Sequence, residues 1–281
     1  MRKVVVPTDF SENAFHALKY ACQVFKYERS EFYIVHAYAD EVYTEKKDID
    51  PSVFEQKKAT ARTNSEMELA KVLNALKLYS PNPDHQYHTL SAFGSLTDEV
   101  NDLVTAENMD IVVMGTKGFT NDRKVSFGSN TLAVMKYVDC PVLAIPEGYV
   151  YEAPRSVLFP TDYQVPFRKR ELKLLCEMTG SFRSTIHFLY IFPLKYLCER
   201  QSNNQEFLKE GLKKASLVFE TSPEKNKTEA IMKYIGDHQI DMLVMVNTRQ
   251  SHLEYMLYQS TLDQIGLHIK IPFLVLQNLA R

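Results

Sequence analysis

Val5-Val6-Pro7-Thr8-Asp9-Phe10 returns 153 residues later as Leu158-Phe159-Pro160-Thr161-Asp162-Tyr163, and this return decides the architecture. Two further stretches repeat at an offset of 131. Asp110-Ile111-Val112-Val113-Met114 becomes Asp241-Met242-Leu243-Val244-Met245, and Cys140-Pro141-Val142-Leu143 becomes Ile271-Pro272-Phe273-Leu274. The second copy is therefore 22 residues shorter than the first. A chain of 281 residues suits two domains of about 140 residues each. The copies are placed at residues 1–148 and 154–281, with the boundary near Gly148 to Arg155.

Within the first copy, short β-rich runs alternate with amphipathic stretches, the pattern of βαβ units on a parallel sheet. Strands are expected at Lys3–Val6, Phe32–Tyr38, Gln86–Leu90, Asp110–Gly115 and Pro141–Ile145. Ala14, Leu18, Ala21, Cys22 and Phe25 fall at helical spacing behind Ser11, a cap-forming residue, so Glu12–Phe25 reads as a helix. A capping box at Ser52 to Glu55 opens a long helix to Tyr79, and Leu96–Glu107 and Ser129–Tyr137 are the remaining helices. Ala39–Asp50 is charged and aperiodic and reads as a mobile flap. Each copy is then an α/β doubly wound, Rossmann-like parallel sheet, with its ligand crevice at the strand carboxyl ends.

Ile111-Val112-Val113-Met114 runs straight into Gly115-Thr116-Lys117-Gly118, then nine residues from Phe119 to Phe127, then Gly128-Ser129. A strand that ends in spaced glycines and reopens as a helix outlines a phosphate cradle. Glycine permits positive φ and leaves no Cβ in the way of backbone N–H groups closing on an anion. The dipole of the following helix then favours the negative charge.

Composition excludes several alternatives. Formal net charge is −2 and there is no long basic run, so nucleic-acid binding by counterion release has no footprint. Cys22, Cys140, Cys176 and Cys198 are scattered without a C-x-x-C pair, against a disulfide scaffold or a zinc ribbon. Val4-Val5-Val6 meets Pro7-Thr8-Asp9 too soon for a signal peptide, and no apolar run approaches the roughly 20 residues of a membrane helix. The expectation is a soluble, cytoplasmic protein that engages no membrane and no nucleic acid.

Pro7-Thr8-Asp9-Phe10-Ser11 after a first strand, His36-Ala37 at the end of a second, and Gly115-x2-Gly118-x9-Gly128-Ser129 after a fourth together resemble the universal stress protein family, in its ATP-binding branch. The resemblance covers both copies. It implies an adenine nucleotide alpha-hydrolase-like fold and an adenine nucleotide ligand, ATP or else ADP or AMP, with Mg²⁺ an accompanying ion. It places Asp9 on the nucleoside, with Pro7 and Thr8 lining the same wall and Ala37 and Met114 against the adenine. Gly115, Gly118 and Gly128 would let the loop approach the phosphates, which Ser129, Asn130 and Thr131 would bond. Asn130 departs from the aliphatic residue usual there, and its amide either adds a phosphate contact or caps the helix. The implied role is a nucleotide-dependent stress sensor or interaction module with an unidentified protein partner. Single-copy members pair through the last strand, so Pro141–Ile145 and Pro272–Leu276 are expected to pair within the chain, and a homodimer stays open.

Duller readings stand beside these. Asp9 could cap the first helix, Ser129 could be an ordinary N-cap, and His36 reads as a packed core histidine rather than a catalyst. Lys117, Arg123 and Lys124 either meet phosphate or are solvated. No Walker lysine–serine pair, second carboxylate or neutralising arginine is in view, so ATP turnover is expected to be slow at most. A nucleotide-free scaffold and an ATP-hydrolysing (ATP-pyrophosphatase-type) or nucleotidyl-transfer enzyme are the rivals. The second copy has lost the cradle: at offset 131 the glycines become Val246, Arg249 and Gln259, and one residue further on Asn247, Gln250 and Ser260. Asp162 alone reads as a cap or relic. His187, His252, His268, Cys176 and Cys198 form no ligand spacing.

Overall fold

The computed structural model describes residues 1–43, 50–116, 127–164, 167, 169–191, 196–224, 226–247 and 269–278. The chain divides into two compact units, the first closing at Gly148 and the second opening at Tyr149.

In the first unit the order is β1 (Arg2–Pro7), α1 (Glu12–Val24), β2 (Ser30–Ala37), α2 (Ala39–Val42), α3 (Pro51–Tyr79), β3 (His85–Ala92), α4 (Leu96–Glu107), β4 (Ile111–Gly115), α5 (Ser129–Tyr137) and β5 (Val142–Ile145). The strands lie in the order β3-β2-β1-β4-β5, all parallel. Central strands of such a sheet are covered on both faces, so they are apolar throughout rather than alternating. Val4 to Val6, Ile111 to Val113 and Val142 to Ile145 are all fully buried.

The second unit runs β6 (Ser156–Thr161), α6 (Lys169–Ser181), β7 (Thr185–Tyr190), α7 (Glu199–Gly211), β8 (Ser216–Thr221), α8 (Lys227–His238), β9 (Met242–Asn247) and β10 (Phe273–Gln277). Its order β8-β7-β6-β9-β10 repeats that of the first unit. Helix α8 copies α4 at an offset of 131 at both ends, and each closes on a left-handed residue, Asn108 (φ 53°) and Gln239 (φ 48°). The connection from second to third strand spans residues 38–84 in one unit and 191–215 in the other. This connection holds the 22-residue difference. Residues 260–268, which match α5 at the offset of 131, lie outside the described residues.

Two local expectations are corrected. Helix α3 begins at Pro51 and is capped by Asp50, whose carboxylate accepts from the Ser52 N–H at 2.8 Å, so the box at Ser52 is not the cap. Proline at the first helical position has no N–H to leave unsatisfied, which sets the start two residues earlier. The stretch read as a mobile flap opens as helix α2, with Ala39 and Val42 buried. Tyr43 then packs on Phe54 and Phe93 at centroid distances of 5.6 and 5.7 Å. The charged residues around them concealed these ring contacts in the sequence. Residues 44–49 of this stretch lie outside the described residues.

Candidate functional site

The strand order places a topological switch point between β1 and β4, since the chain winds outward to β3 and returns to β4 on the other side of β1. Crevices in open α/β sheets form at such points, beyond the carboxyl ends of the strands. Residues 8–11 leave β1 there, and Gly115 ends β4 there.

The turn after β1 is held by its own side chains. Phe10 takes φ 63°, a left-handed conformation that costs a non-glycine residue about 1–2 kcal/mol. Thr8 Oγ1 accepts from the Phe10 N–H at 3.0 Å, and Asp9 Oδ1 accepts from the Ser11 N–H at 3.1 Å and the Ser11 hydroxyl at 2.6 Å. Ser11 Oγ accepts in turn from the Ala14 N–H at 3.1 Å and caps α1. Asp9 therefore does not cap the helix itself; it positions the residue that does. The second unit builds the same turn. Tyr163 has φ 56°, Thr161 Oγ1 accepts from its N–H at 3.0 Å, and Asp162 Oδ1 accepts from the Gln164 N–H at 2.9 Å.

Across the crevice, the Thr116 N–H donates to the Ile145 carbonyl at 2.9 Å and the Gly128 N–H to the Thr116 carbonyl at 2.7 Å. The chain thus leaves β4 and enters α5 from a closed base. Gly118, with Lys117, Arg123 and Lys124, lies outside the described residues. Gly128 is the N-cap of α5, with φ −66° and ψ 160°, and the helix has neither a side-chain cap nor an acidic residue in its first turn. The first intrahelical bond runs from the Leu132 N–H to the Gly128 carbonyl at 3.0 Å. The N–H groups of Ser129, Asn130 and Thr131 precede it and have no partner within the helix. Ser129 and Asn130 are exposed.

Three expectations about these residues are corrected. Gly115 and Gly128 do not exploit positive φ; among the described glycines Gly148 alone has it. Gly115 is instead a close approach, since a Cβ there would stand 2.5 Å from Asn13 Nδ2 and 3.3 Å from the Asn13 carbonyl oxygen on α1. The Thr131 hydroxyl turns inward and donates to the carbonyls of Gly115 at 3.0 Å and Thr116 at 3.2 Å. That hydroxyl ties α5 to β4, leaving only the Thr131 backbone for the helix mouth. Neither Asn130 nor Ser129 caps α5, because the cap position belongs to a residue with no side chain.

The remaining wall is the end of β2. Pro7 is buried and pairs with Val35, Ala37 is half-buried at the strand end, and Met114 is buried on β4. His36, 5% exposed, is a core histidine with three neighbours the sequence did not announce. Its Nδ1 lies 2.9 Å from Ser65 Oγ, its Nε2 3.1 Å from Glu41 Oε1, and its ring 4.3 Å from the Phe10 ring. Burial lowers its pKa below the ordinary histidine value, although Glu41 and Asp9 both pull the other way. Burial prevails because Glu41 is half in water, where its charge is screened.

In the second unit the crevice carries different groups. Strand register aligns Gly115 with Val246, since Gly115 pairs with Ile145 and Val246 with Leu276. Strand β9 continues to Asn247, whose buried amide donates to Gln277 Oε1 at 2.9 Å. No group of three or more histidine, cysteine or acidic side chains able to hold a metal occurs among the described residues. No described helix is long and apolar enough to cross a membrane.

A doubly wound α/β domain present twice, with an open helix mouth at the switch point of the first copy, defines the class. The chain belongs to the universal stress protein family, whose family model matches residues 1–146 and 202–277. Universal stress protein MJ0577 of Methanocaldococcus jannaschii is 29% identical over 154 residues, which cover 51% of this chain and 94% of that protein. Universal stress protein MJ0531 of the same organism is 26% identical over 147 residues, covering 51% and 81%. These relatives match half of the present chain. A universal stress protein from Archaeoglobus fulgidus, solved by crystallography, shares the fold over 98% of this chain and 96% of its own, with a TM-score of 0.62 and 17% identity.

Proposed function

We propose that the first domain binds an adenine nucleotide, with ATP the ligand the site suits best, and that the protein acts as a nucleotide-dependent stress sensor or interaction module. The observation that carries this reading is the mouth of α5. Its first three N–H groups have no side-chain cap among the described residues, no acidic residue lies in the first turn, and they stand at the switch point where α/β sheets take anionic ligands. The phosphates would meet the N–H groups of Ser129, Asn130 and Thr131 and the backbone of Gly118. The nucleoside would lie along Pro7, Thr8 and Asp9, with Ala37 and Met114 beside the base. An Asp9 carboxylate accepts hydrogen bonds and suits sugar hydroxyls better than phosphate. Mg²⁺ would come with the phosphates, as an ion that keeps most of its water. Turnover would be slow, because the chain has no Walker lysine–serine pair and Asp9 is engaged in its own turn.

The test is calorimetric titration of the full chain with MgATP, comparing Gly128→Val. Valine tolerates the extended backbone of Gly128, so the fold should stand while a side chain obstructs the mouth. The expected loss is at least tenfold in affinity, about 1.4 kcal/mol. Unchanged affinity would remove the α5 mouth from the site and favour the scaffold reading.

A further inference from the structure

The second unit holds a cavity of about 330 Å³ between α6 and α7, lined by no strand residue. Its apolar floor is made by Leu172, Phe207 and Cys176, and Lys169, Lys173 and Lys214 surround it. The first unit shows what belongs in such a space. Leu18, Tyr20, Ala21, Cys22 and Val24 of α1 are buried, as are Leu172, Leu174, Leu175, Cys176 and Met178 of α6, a shared pattern at an offset of 154. Strand register gives the same offset for the strand that follows, since Val4 and Val157 match at 153 while their partners Phe32 and Ile186 stand 154 apart. Lys19 thereby corresponds to Lys173, and Phe15 to Lys169. The last residue of α3 is Tyr79, whereas α7 ends in Gly211.

In the first unit the Lys19 ammonium sits over both rings, 4.6 Å from the centroid of Phe15 and 5.0 Å from that of Tyr79. The second unit keeps the lysine and lacks both rings. We infer that this cavity is a binding site for a small aromatic monocarboxylate, whose ring takes the place that Tyr79 fills in the other unit and whose carboxylate meets the lysines. A cation over a ring face is an attractive arrangement, and Lys173 is left to make it with a ligand. The charge balance fits one anion. Three lysines line the cavity against Glu177 and Glu210, and Lys173 is only loosely paired with Glu177, at 3.9 Å. This site requires no nucleotide and stands apart from the reading of the first domain.

The experiment titrates the full chain with naphthalene-2-carboxylate and, separately, with the neutral naphthalene-2-carboxamide. The carboxylate should bind saturably, one per chain, at least tenfold more tightly than the amide, and excess MgATP should not displace it. Gly211→Tyr should abolish binding by restoring the ring. A Cβ at Gly211 would come 2.8 Å from Leu172 Cδ1, so this variant can misfold. The double variant Lys169→Glu, Lys173→Glu changes exposed side chains and should keep the fold while weakening binding at least tenfold. Absence of saturable binding at about 1 mM, displacement by MgATP, or wild-type affinity in the lysine variant would each overturn the assignment.

Discussion

His36 lies between two carboxylates and is still less basic than a free histidine, because the cost of burying its charge exceeds what half-solvated Glu41 and Asp9 return. Burial likewise lowers the pKa of His16, His85 and His187. The unfolded chain then binds more protons than the folded one between each depressed value and the ordinary value near 6.5, so stability rises with pH through that interval. It is fully present above about pH 6.5 and is lost as pH falls below it. Denaturant midpoints at pH 7.5, 6 and 5 should decline, and His36→Gln should flatten the decline; a midpoint independent of pH over this range would refute the account. Asp9 has two separable duties at the same scale. Asp9→Asn keeps the oxygen that accepts from Ser11 and should leave stability unchanged while weakening MgATP binding. Asp162→Ala removes the equivalent oxygen in the second unit and should cost about 1 kcal/mol with no effect on nucleotide. Equal affinities for Asp9→Asn and wild type would leave Asp9 with only its turn.

At the scale of elements, α5 differs from its neighbours in what its first turn lacks. Helices α1 and α4 have serine caps and acidic residues in the first turn, and α8 has an asparagine cap and Glu229. Helix α5 has glycine at the cap and no acid in its first turn, so the helix itself supplies no charge to compensate its positive end. Ser129→Asp should therefore divide stability from function. A carboxylate at a helix start typically stabilises by 0.3–1 kcal/mol, so the thermal midpoint should hold or rise. The same charge repels phosphate, so MgATP affinity should fall at least tenfold. Loss of stability with unchanged binding would show that the helix mouth faces something other than phosphate. The inward Thr131 hydroxyl holds the mouth in place, bonding the last carbonyl of β4 and the one after it to the first turn of α5.

For the whole molecule, the two copies share the fold and differ in the residues at the ends of β4 and β9. The strained turn after the first strand persists in both units, at Phe10 and Tyr163, so it is a feature of the fold they share. The place of Gly115 is taken by Val246, and the strand there runs on to a buried Asn247–Gln277 amide pair. One nucleotide per chain is expected. Calorimetry or mass spectrometry of the intact complex that returned two would mean that the second unit binds nucleotide without glycines.

The sequence by itself determined the repeat, the order of strands and helices and the class of each domain. These follow from local periodicity: Leu96–Glu107 and Ser129–Tyr137 are helices within the very bounds their apolar spacing and flanking residues mark. It also marked the strand end at Gly115 and the helix start at Ser129 as features of one crevice. Only the tertiary structure decided what the side chains there do. That Gly115 is small for the sake of Asn13, that Thr131 bonds the carbonyls of Gly115 and Thr116, and that His36 meets Ser65 are contacts across 102, 16 and 29 residues of chain. The left-handed Phe10 carries no glycine to announce it, and the cap of α3 belongs to Asp50 because Pro51 can begin a helix. The cavity at Gly211 becomes visible once α6 and α7 are packed and compared with α1 and α3. Periodicity is written along the chain, whereas a contact between distant residues depends on how the layers meet.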